Sequence, residues 1–116
     1  LVKTFHGATA VEVHVEYANM RASYGDDVDG AVYHFVQEAL TNSFRHGKAT
    51  KILIGFWENR ENLEIWIHDD GIGAQSVQEG IGISGMRDRL GKLGGTLSVS
   101  STEGGFKLVA EIPLQD

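Results

Sequence analysis

The stretch from Asp69 to Gly85 constrains the fold more than any other part of the sequence. Its 17 residues include five glycines and lie between a predicted strand and a predicted helix. Glycine loses much conformational entropy on folding, so such a concentration indicates backbone that takes positive φ or passes close to another group. We therefore interpret this stretch as the wall of a nucleotide pocket.

Strict alternation of apolar residues predicts the strands, and apolar residues at helical spacing predict the helices. In chain order these are a strand at 11–17, a helix at 28–46, strands at 51–57 and 63–69, a helix at 83–93, and strands around 97–99 and 106–112. Asp26 or Asp27 is predicted to cap the first helix. Residues 1–8 are interpreted as the remnant of a preceding element, such as a helix stub.

This order of elements predicts an α/β fold: a two-layer sandwich in which helices cover one face of a mixed, mostly antiparallel sheet. The length of 116 residues and the hydrophobic content of 41% fit a single domain over residues 1–116. The net charge of −6 argues against a nucleic-acid partner, which would require a broad basic face. The chain contains no cysteine and no apolar run of membrane-spanning length, so we expect a cytoplasmic domain without direct membrane contact.

The first helix carries a polar edge beside its apolar stripe. At about 100° per residue, Glu38, Asn42 and Arg45 lie within roughly 60° of one another along that border. An acid, an amide and a base therefore share one edge of the core. A solvated polar edge without a ligand is the alternative interpretation, since such pairs are common on helices.

Asp69 is predicted to point where core residues point. A period of two along its strand puts Asp69 on the same face as Leu63, Ile65 and Ile67. A carboxylate on that face needs a hydrogen-bond donor, which a ligand amino group could provide. Backbone amides of the Gly71–Gly73 turn could provide one equally well, and the two interpretations stay open at this point.

Several other chemistries fit the sequence poorly. Gly80-x-Gly82-x-x-Gly85 matches a dinucleotide fingerprint in letters, but ten residues, 70–79, separate it from the preceding strand. The phosphate-binding loop Gly-x4-Gly-Lys-Ser/Thr is absent, and the five histidines are scattered without metal-ligand spacing. Neither a P-loop site nor a histidine metal centre is predicted.

Three motifs in a fixed order resemble the GHKL ATPase superfamily. They are Gln37-Glu38-x3-Asn42-x2-Arg45-His46, then Asp69-x-Gly71-x-Gly73, then Gly80-x-Gly82-x-x-Gly85-Met86. The superfamily includes sensor histidine kinases, gyrase-type topoisomerase subunits, MutL-type repair proteins and heat-shock chaperone ATPases. Within it, the sequence is most similar to the catalytic domain of the nitrate-sensor and desaturase-thermosensor group of bacterial histidine kinases. The resemblance covers about Val11 to Leu114 and implies a Bergerat-type ATP-binding fold.

The resemblance also implies roles for individual residues. Asp69 would accept a hydrogen bond from the adenine amino group, and Gly71 and Gly73 would let the backbone pass close to the base. Asn42 would bind Mg²⁺ together with phosphates and water. The remaining ATP-binding positions implied by the motifs are Arg45, His46, Gly80, Gly82, Ile83, Gly85 and Met86. Glu38 matches a glutamate that acts on water in members that hydrolyse ATP, so it is only a candidate catalytic residue.

The implied activity is transfer of the ATP γ-phosphoryl group to a histidine on a dimerisation segment outside these 116 residues. That segment of the same protein and a downstream response regulator are the implied partners. Two alternatives stay open: a serine kinase of the anti-sigma-factor type, and a degenerate domain that binds a nucleotide without catalysis. The second alternative is supported by Gly105-Phe106, because relatives commonly have Gly-Thr there and a hydroxyl near the base is missing.

Overall fold

The computed structural model describes residues 2–6, 12–42, 50–70, 81–102 and 105–114. The elements in these ranges are the strands β1 (Val2–His6) and β2 (Glu12–Ala18), the helix α1 (Asp26–Asn42), the strands β3 (Lys51–Glu58) and β4 (Asn62–Asp69), the helix α2 (Ile81–Gly91), and the strands β5 (Thr96–Thr102) and β6 (Gly105–Pro113).

The described strands form one sheet in the order β1-β2-β3-β4-β6-β5. Among them, β2 and β3 pair in parallel, while every other neighbouring pair is antiparallel. Parallel strands need a crossover connection, and α1 is that connection. The prediction of a mixed, mostly antiparallel sheet is therefore confirmed.

The core lies between one face of the sheet and the two helices. Burial along β4 alternates, so that Leu63, Ile65, Ile67 and Asp69 are buried, as the period of two predicts. Apolar side chains from both layers form one cluster, with members on α1 (Phe35, Ala39), α2 (Ile83, Met86, Leu90) and the strands β3, β4 and β6. This contact of helices with one sheet face confirms the predicted two-layer sandwich.

The opposite face of the sheet carries both tryptophans of the chain. Trp66 on β4 pairs with Gly55 on β3, and its ring lies where a side chain at position 55 would have to be. Trp57 is 47% exposed on the same face. Because Gly55 has no side chain, the large aromatic ring of Trp66 can pack directly on the backbone of β3.

The first residues differ from the prediction. Val2–His6 is a strand, β1, which pairs antiparallel with β2, so the prediction of a helix stub is wrong. The segment is too short to show a period by itself. Pairing with the edge of β2 decides its conformation, and the β-branched Val2 and Thr4 suit a strand.

Helix α1 begins slightly earlier than predicted, and its cap differs. The Asp29 amide donates to the Gly25 carbonyl over 2.9 Å, so the helix starts at Asp26, and neither Asp26 nor Asp27 is its cap. Instead the Asp29 carboxylate accepts hydrogen bonds from the Ser23 hydroxyl and the Tyr24 amide. The predicted end of this helix at His46 lies outside the described residues.

The second helix begins and ends two residues before its predicted bounds. Its C-terminus is closed by a hydrogen bond of 2.7 Å from the Gly95 amide to the Leu90 carbonyl. Gly94 and Gly95 end the helix, as predicted. Within the described part of the chain, neither helix has the length and apolar character that crossing a membrane would require.

Candidate functional site

Asp69 is the last residue of β4 and one of the most enclosed side chains in the described structure. Its exposed fraction is 3%, and it is the buried acidic residue among otherwise apolar buried side chains. Its register partners are Ile52 on β3 and Phe106 on β6, which are 0% and 6% exposed. A carboxylate thus lies between two apolar neighbours on the core face, as the sequence predicts.

Helix α2 brings further predicted site residues to the same layer. Ile83 and Met86 are buried and belong to the apolar cluster that also contains Ile52 and Phe106, the neighbours of Asp69. Gly85 lies between them and is half-buried. Gly82 lies in the first turn of α2, where helix amides have no partner within the helix.

The last turns of helix α1 carry two more of the predicted site residues, Glu38 and Asn42. Ala39 belongs to the same buried cluster, and its neighbour Glu38 is half-buried at the border of the core. Asn42 is the last residue of α1 and follows Glu38 by one helical turn. Five other predicted site residues, Arg45, His46, Gly71, Gly73 and Gly80, lie outside the described residues.

A polar cluster beside Asp69 was not predicted from the sequence. The Asp70 carboxylate accepts hydrogen bonds from the Thr50 amide (2.8 Å), the Thr50 hydroxyl (2.6 Å) and the Lys51 amide (2.9 Å). Desolvation raises the pKa of Asp70, but the hydrogen bonds from Thr50 and Lys51 together outweigh it and hold that pKa below its usual value. An aspartate that directly follows a strand and precedes glycine is the signal that could have indicated such a cluster.

Gly105 makes a second close contact at the end of β4. A Cβ at this position would lie 1.9 Å from the carbonyl oxygen of Asp69, and the residue has a φ of +136°. Both observations require glycine. The backbone of Asp69 is therefore in contact with the start of β6, beside the Asp69–Phe106 pair.

The sequence and fold were compared with known proteins. The family described as histidine kinase-, DNA gyrase B-, and HSP90-like ATPases matches residues 27–116. The histidine-protein kinase/phosphatase UhpB of Salmonella typhimurium is 33% identical over 93 residues, which cover 78% of this chain and 19% of UhpB. The chain therefore spans about a fifth of the length of this relative.

Solved structures agree with this match. The ATP-binding domain of PrrB from Mycobacterium tuberculosis superposes with a TM-score of 0.65 at 30% identity, covering 75% of this chain and 69% of that domain. The histidine kinase AdeS of Acinetobacter baumannii shares the fold, with a TM-score of 0.75 at 18% identity over 90% of this chain and 54% of the AdeS chain.

The chain belongs to the family of histidine kinase-, DNA gyrase B- and HSP90-like ATPases. Within that family it is an ATP-binding catalytic domain of the histidine kinase type. The predicted resemblance to the GHKL superfamily is thereby confirmed.

Proposed function

We propose that Asp69 recognises the base of ATP by accepting a hydrogen bond from the adenine amino group. The observation that supports this is the position of its carboxylate, 3% exposed between Ile52 and Phe106 on the core face. An apolar surround suits a flat purine ring, and a carboxylate in it favours a ligand that brings a donor. Gly71 and Gly73 are proposed to let the backbone approach the base.

The phosphates are proposed to lie toward the start of α2 and the end of α1. Amides at a helix N-terminus attract anions, and Gly80, Gly82 and Gly85 would leave room for phosphate oxygens there. Arg45 and His46 would add positive charge, and Ile83 and Met86 would support this wall from the core. Asn42 is proposed to hold Mg²⁺ through its amide oxygen, because Mg²⁺ takes few protein ligands beside phosphates and water.

The whole protein is proposed to transfer the γ-phosphoryl group to a histidine on its own dimerisation segment, and from there to a response regulator in the cytoplasm. UhpB is described as a histidine-protein kinase/phosphatase, which supports this activity. This domain would contribute positioning and charge stabilisation, which dominate phosphoryl transfer. Glu38, half-buried one turn before Asn42, stays a candidate catalytic residue and is not assigned as the base of the kinase reaction.

Binding of Mg-ATP to the variant Asp69→Asn tests the adenine contact. We expect the Kd to rise by about 10- to 100-fold, which corresponds to the loss of one hydrogen bond to a charged group. The matched control is Asp27→Asn, an exposed aspartate in the first turn of α1, which should bind ATP as the parent does. Equal affinity of Asp69→Asn and the parent in calorimetric titrations would contradict the proposal.

Phosphoryl transfer is tested on the full-length protein with ATP labelled at the γ-phosphate. Acid-labile, base-stable label on a histidine of the same protein is the expected result. Serine phosphate on a partner protein would instead support an anti-sigma-factor type kinase. Binding without any transfer would support a degenerate domain, for which the buried Phe106 beside Asp69 is the specific observation.

A further inference from the structure

The Asp70 carboxylate joins the end of β4, the strand that carries the proposed base-binding residue Asp69, to the start of β3. It accepts from the backbone amides of Thr50 and Lys51 and from the Thr50 hydroxyl, at 2.8, 2.9 and 2.6 Å. In return the Asp70 amide donates to the Lys51 carbonyl over 3.2 Å. We call this set of contacts, formed by Asp70, Thr50 and Lys51, the strand clamp.

The strand clamp is directly adjacent to the register pair that contains Asp69. Ile52 pairs with Asp69 across β3 and β4, Lys51 precedes Ile52 in β3, and Asp70 directly follows the end of β4. Thr50 is also tied to β2, because its carbonyl accepts from the Glu12 amide over 2.9 Å. β2, β3 and the end of β4 are therefore hydrogen-bonded to one another within two residues of the Ile52–Asp69 pair.

The other side of Asp69 is held by β6. The Gly105 α-carbon lies so close to the Asp69 carbonyl that a Cβ there would be 1.9 Å from the oxygen, and Phe106 is the register partner of Asp69. The Asp69 backbone thus has a fixed neighbour on each side. Removing the clamp would release one of these two supports and leave the other in place.

We propose that Asp70 is a positioning residue for nucleotide recognition: through the strand clamp it fixes the orientation of the Asp69 carboxylate and thereby sets selectivity for the adenine amino group. The inference rests on the proposed role of Asp69. Hydrogen bonds weaken steeply when donor and acceptor are misaligned, so a small rotation at the end of β4 is enough to lose discrimination. Asp70 faces away from the core and is exposed, so it acts through Asp69 rather than on the base.

The test compares two nucleotides and two substitutions of the full chain. ATP carries the amino group that Asp69 would recognise, whereas purine riboside triphosphate lacks it. For Asp70→Ala we expect the Kd of ATP to rise about tenfold, and that of purine riboside triphosphate to change by less than about twofold. Asp70→Asn keeps an oxygen that can accept from both backbone amides, so it should restore most of the discrimination.

Asp29→Ala is the matched control. Asp29 also accepts from a hydroxyl and a backbone amide, those of Ser23 and Tyr24, but it lies in the first turn of α1, at the other end of the helix from Asn42. Its loss removes contacts of the same kind without touching the strand clamp. It should leave the ratio of the two nucleotide affinities unchanged, even if the urea midpoint falls.

The outcomes separate the positioning role from the proposed function. If the parent chain prefers ATP and Asp70→Ala keeps the same preference, or weakens both nucleotides equally, the positioning role is wrong and the role of Asp69 stands. If the parent does not distinguish the two nucleotides, the role of Asp69 fails, and the positioning role with it.

A milder substitution keeps the proposal testable if Asp70→Ala does not fold. Thr50→Val removes only the hydroxyl contact, and Thr50→Ser retains it. We expect Thr50→Val to reduce the preference for ATP about threefold and Thr50→Ser to preserve it. Equal preference in these two variants would overturn the proposal.

Discussion

Asp69 and Asp70 are neighbours in the sequence but lie in different surroundings. Asp69 ends β4 on the core face, whereas Asp70, the first residue after the strand, is exposed and accepts hydrogen bonds from the backbone at the start of β3. The Asp69 carboxylate is suited to select a ligand, and the Asp70 carboxylate is suited to bind the backbone amides of Thr50 and Lys51. Exchanging their environments would take a register shift of only one residue.

The lowered pKa of Asp70 predicts a dependence of stability on acid pH. The pKa of Asp70 in the folded state lies below its value of about 3.9 in the unfolded state. The ionised Asp70 carboxylate therefore stabilises the fold at pH values above the unfolded pKa, and this stabilisation is lost as the pH falls through the folded pKa. Asp70→Asn should therefore reduce the free energy of unfolding at pH 7, by only about 0.5–1 kcal/mol because the group is largely exposed.

Urea unfolding of Asp70→Asn and the parent at pH 7 and pH 3 measures this effect. The difference in stability between the two proteins should shrink toward pH 3. A difference that stays constant over this interval would show that the charge of Asp70 contributes nothing to folding.

The contact of Gly105, at the start of β6, with the Asp69 carbonyl leads to a prediction about stability. In Gly105→Ala the new Cβ would clash with the Asp69 carbonyl oxygen at a positive φ, so the free energy of unfolding should fall by about 2–4 kcal/mol. Gly30→Ala is the control, because Gly30 lies inside α1 and its Cβ would meet nothing within 4 Å. It should stabilise by about 0.5–1 kcal/mol, and similar urea midpoints for the two variants would contradict the argument.

Residue-level prediction from the sequence succeeded for Asp69 and missed the strand clamp. The burial of Asp69 follows from a period of two, which is visible within one strand. The partners of Asp70 are Thr50 and Lys51, 20 and 19 residues away in the sequence, and only the pairing of β3 with β4 brings them together. Contacts of this kind depend on register, and register is a property of the folded sheet.

At the scale of elements, β3 and β4 are matched through the contact of Trp66 with Gly55. A Cβ at position 55 would lie 2.1 Å from two atoms of the Trp66 ring, so Gly55→Ala must displace the ring. We expect a loss of about 1–3 kcal/mol in the free energy of unfolding. In a double-mutant cycle with Trp66→Leu the loss should become much smaller, and an additive result would contradict this explanation.

The type and order of the elements were predicted well, whereas their ends and β1 were not. Long periodic segments such as α1 carry enough apolar residues to show their period, while β1 has five residues and depends on pairing with β2. The start of α1 moved because Gly25 and Asp29, rather than Asp26 or Asp27, supply the first contacts of the helix. End positions follow such local hydrogen bonds, which the apolar pattern does not encode.

At the scale of the whole molecule, neighbouring strands differ in the length of the chain segment that connects them, and the parallel pair β2–β3 has a long one. β3 and β4 join through a short connection, whereas β2 reaches β3 only across α1. Closing a longer segment costs more entropy, so β1 and β2 should join the sheet after β3 and β4 have paired.

This order predicts how substitutions divide between the folding and unfolding rates. Val15→Ala in β2 should mainly speed unfolding, whereas Ile65→Val in β4 should also slow folding, as measured from the two arms of a chevron plot. Equal slowing of folding by both variants would contradict the order.

The position of the two tryptophans determines what their fluorescence reports. Trp57 and Trp66 are the two tryptophans of the chain, and both lie on the sheet face away from the helices and from Asp69. Their emission therefore responds to the integrity of the sheet and not to what occupies the opposite layer. Tryptophan emission, excited at wavelengths beyond the absorption band of adenine, can therefore follow unfolding of the sheet while nucleotide is bound.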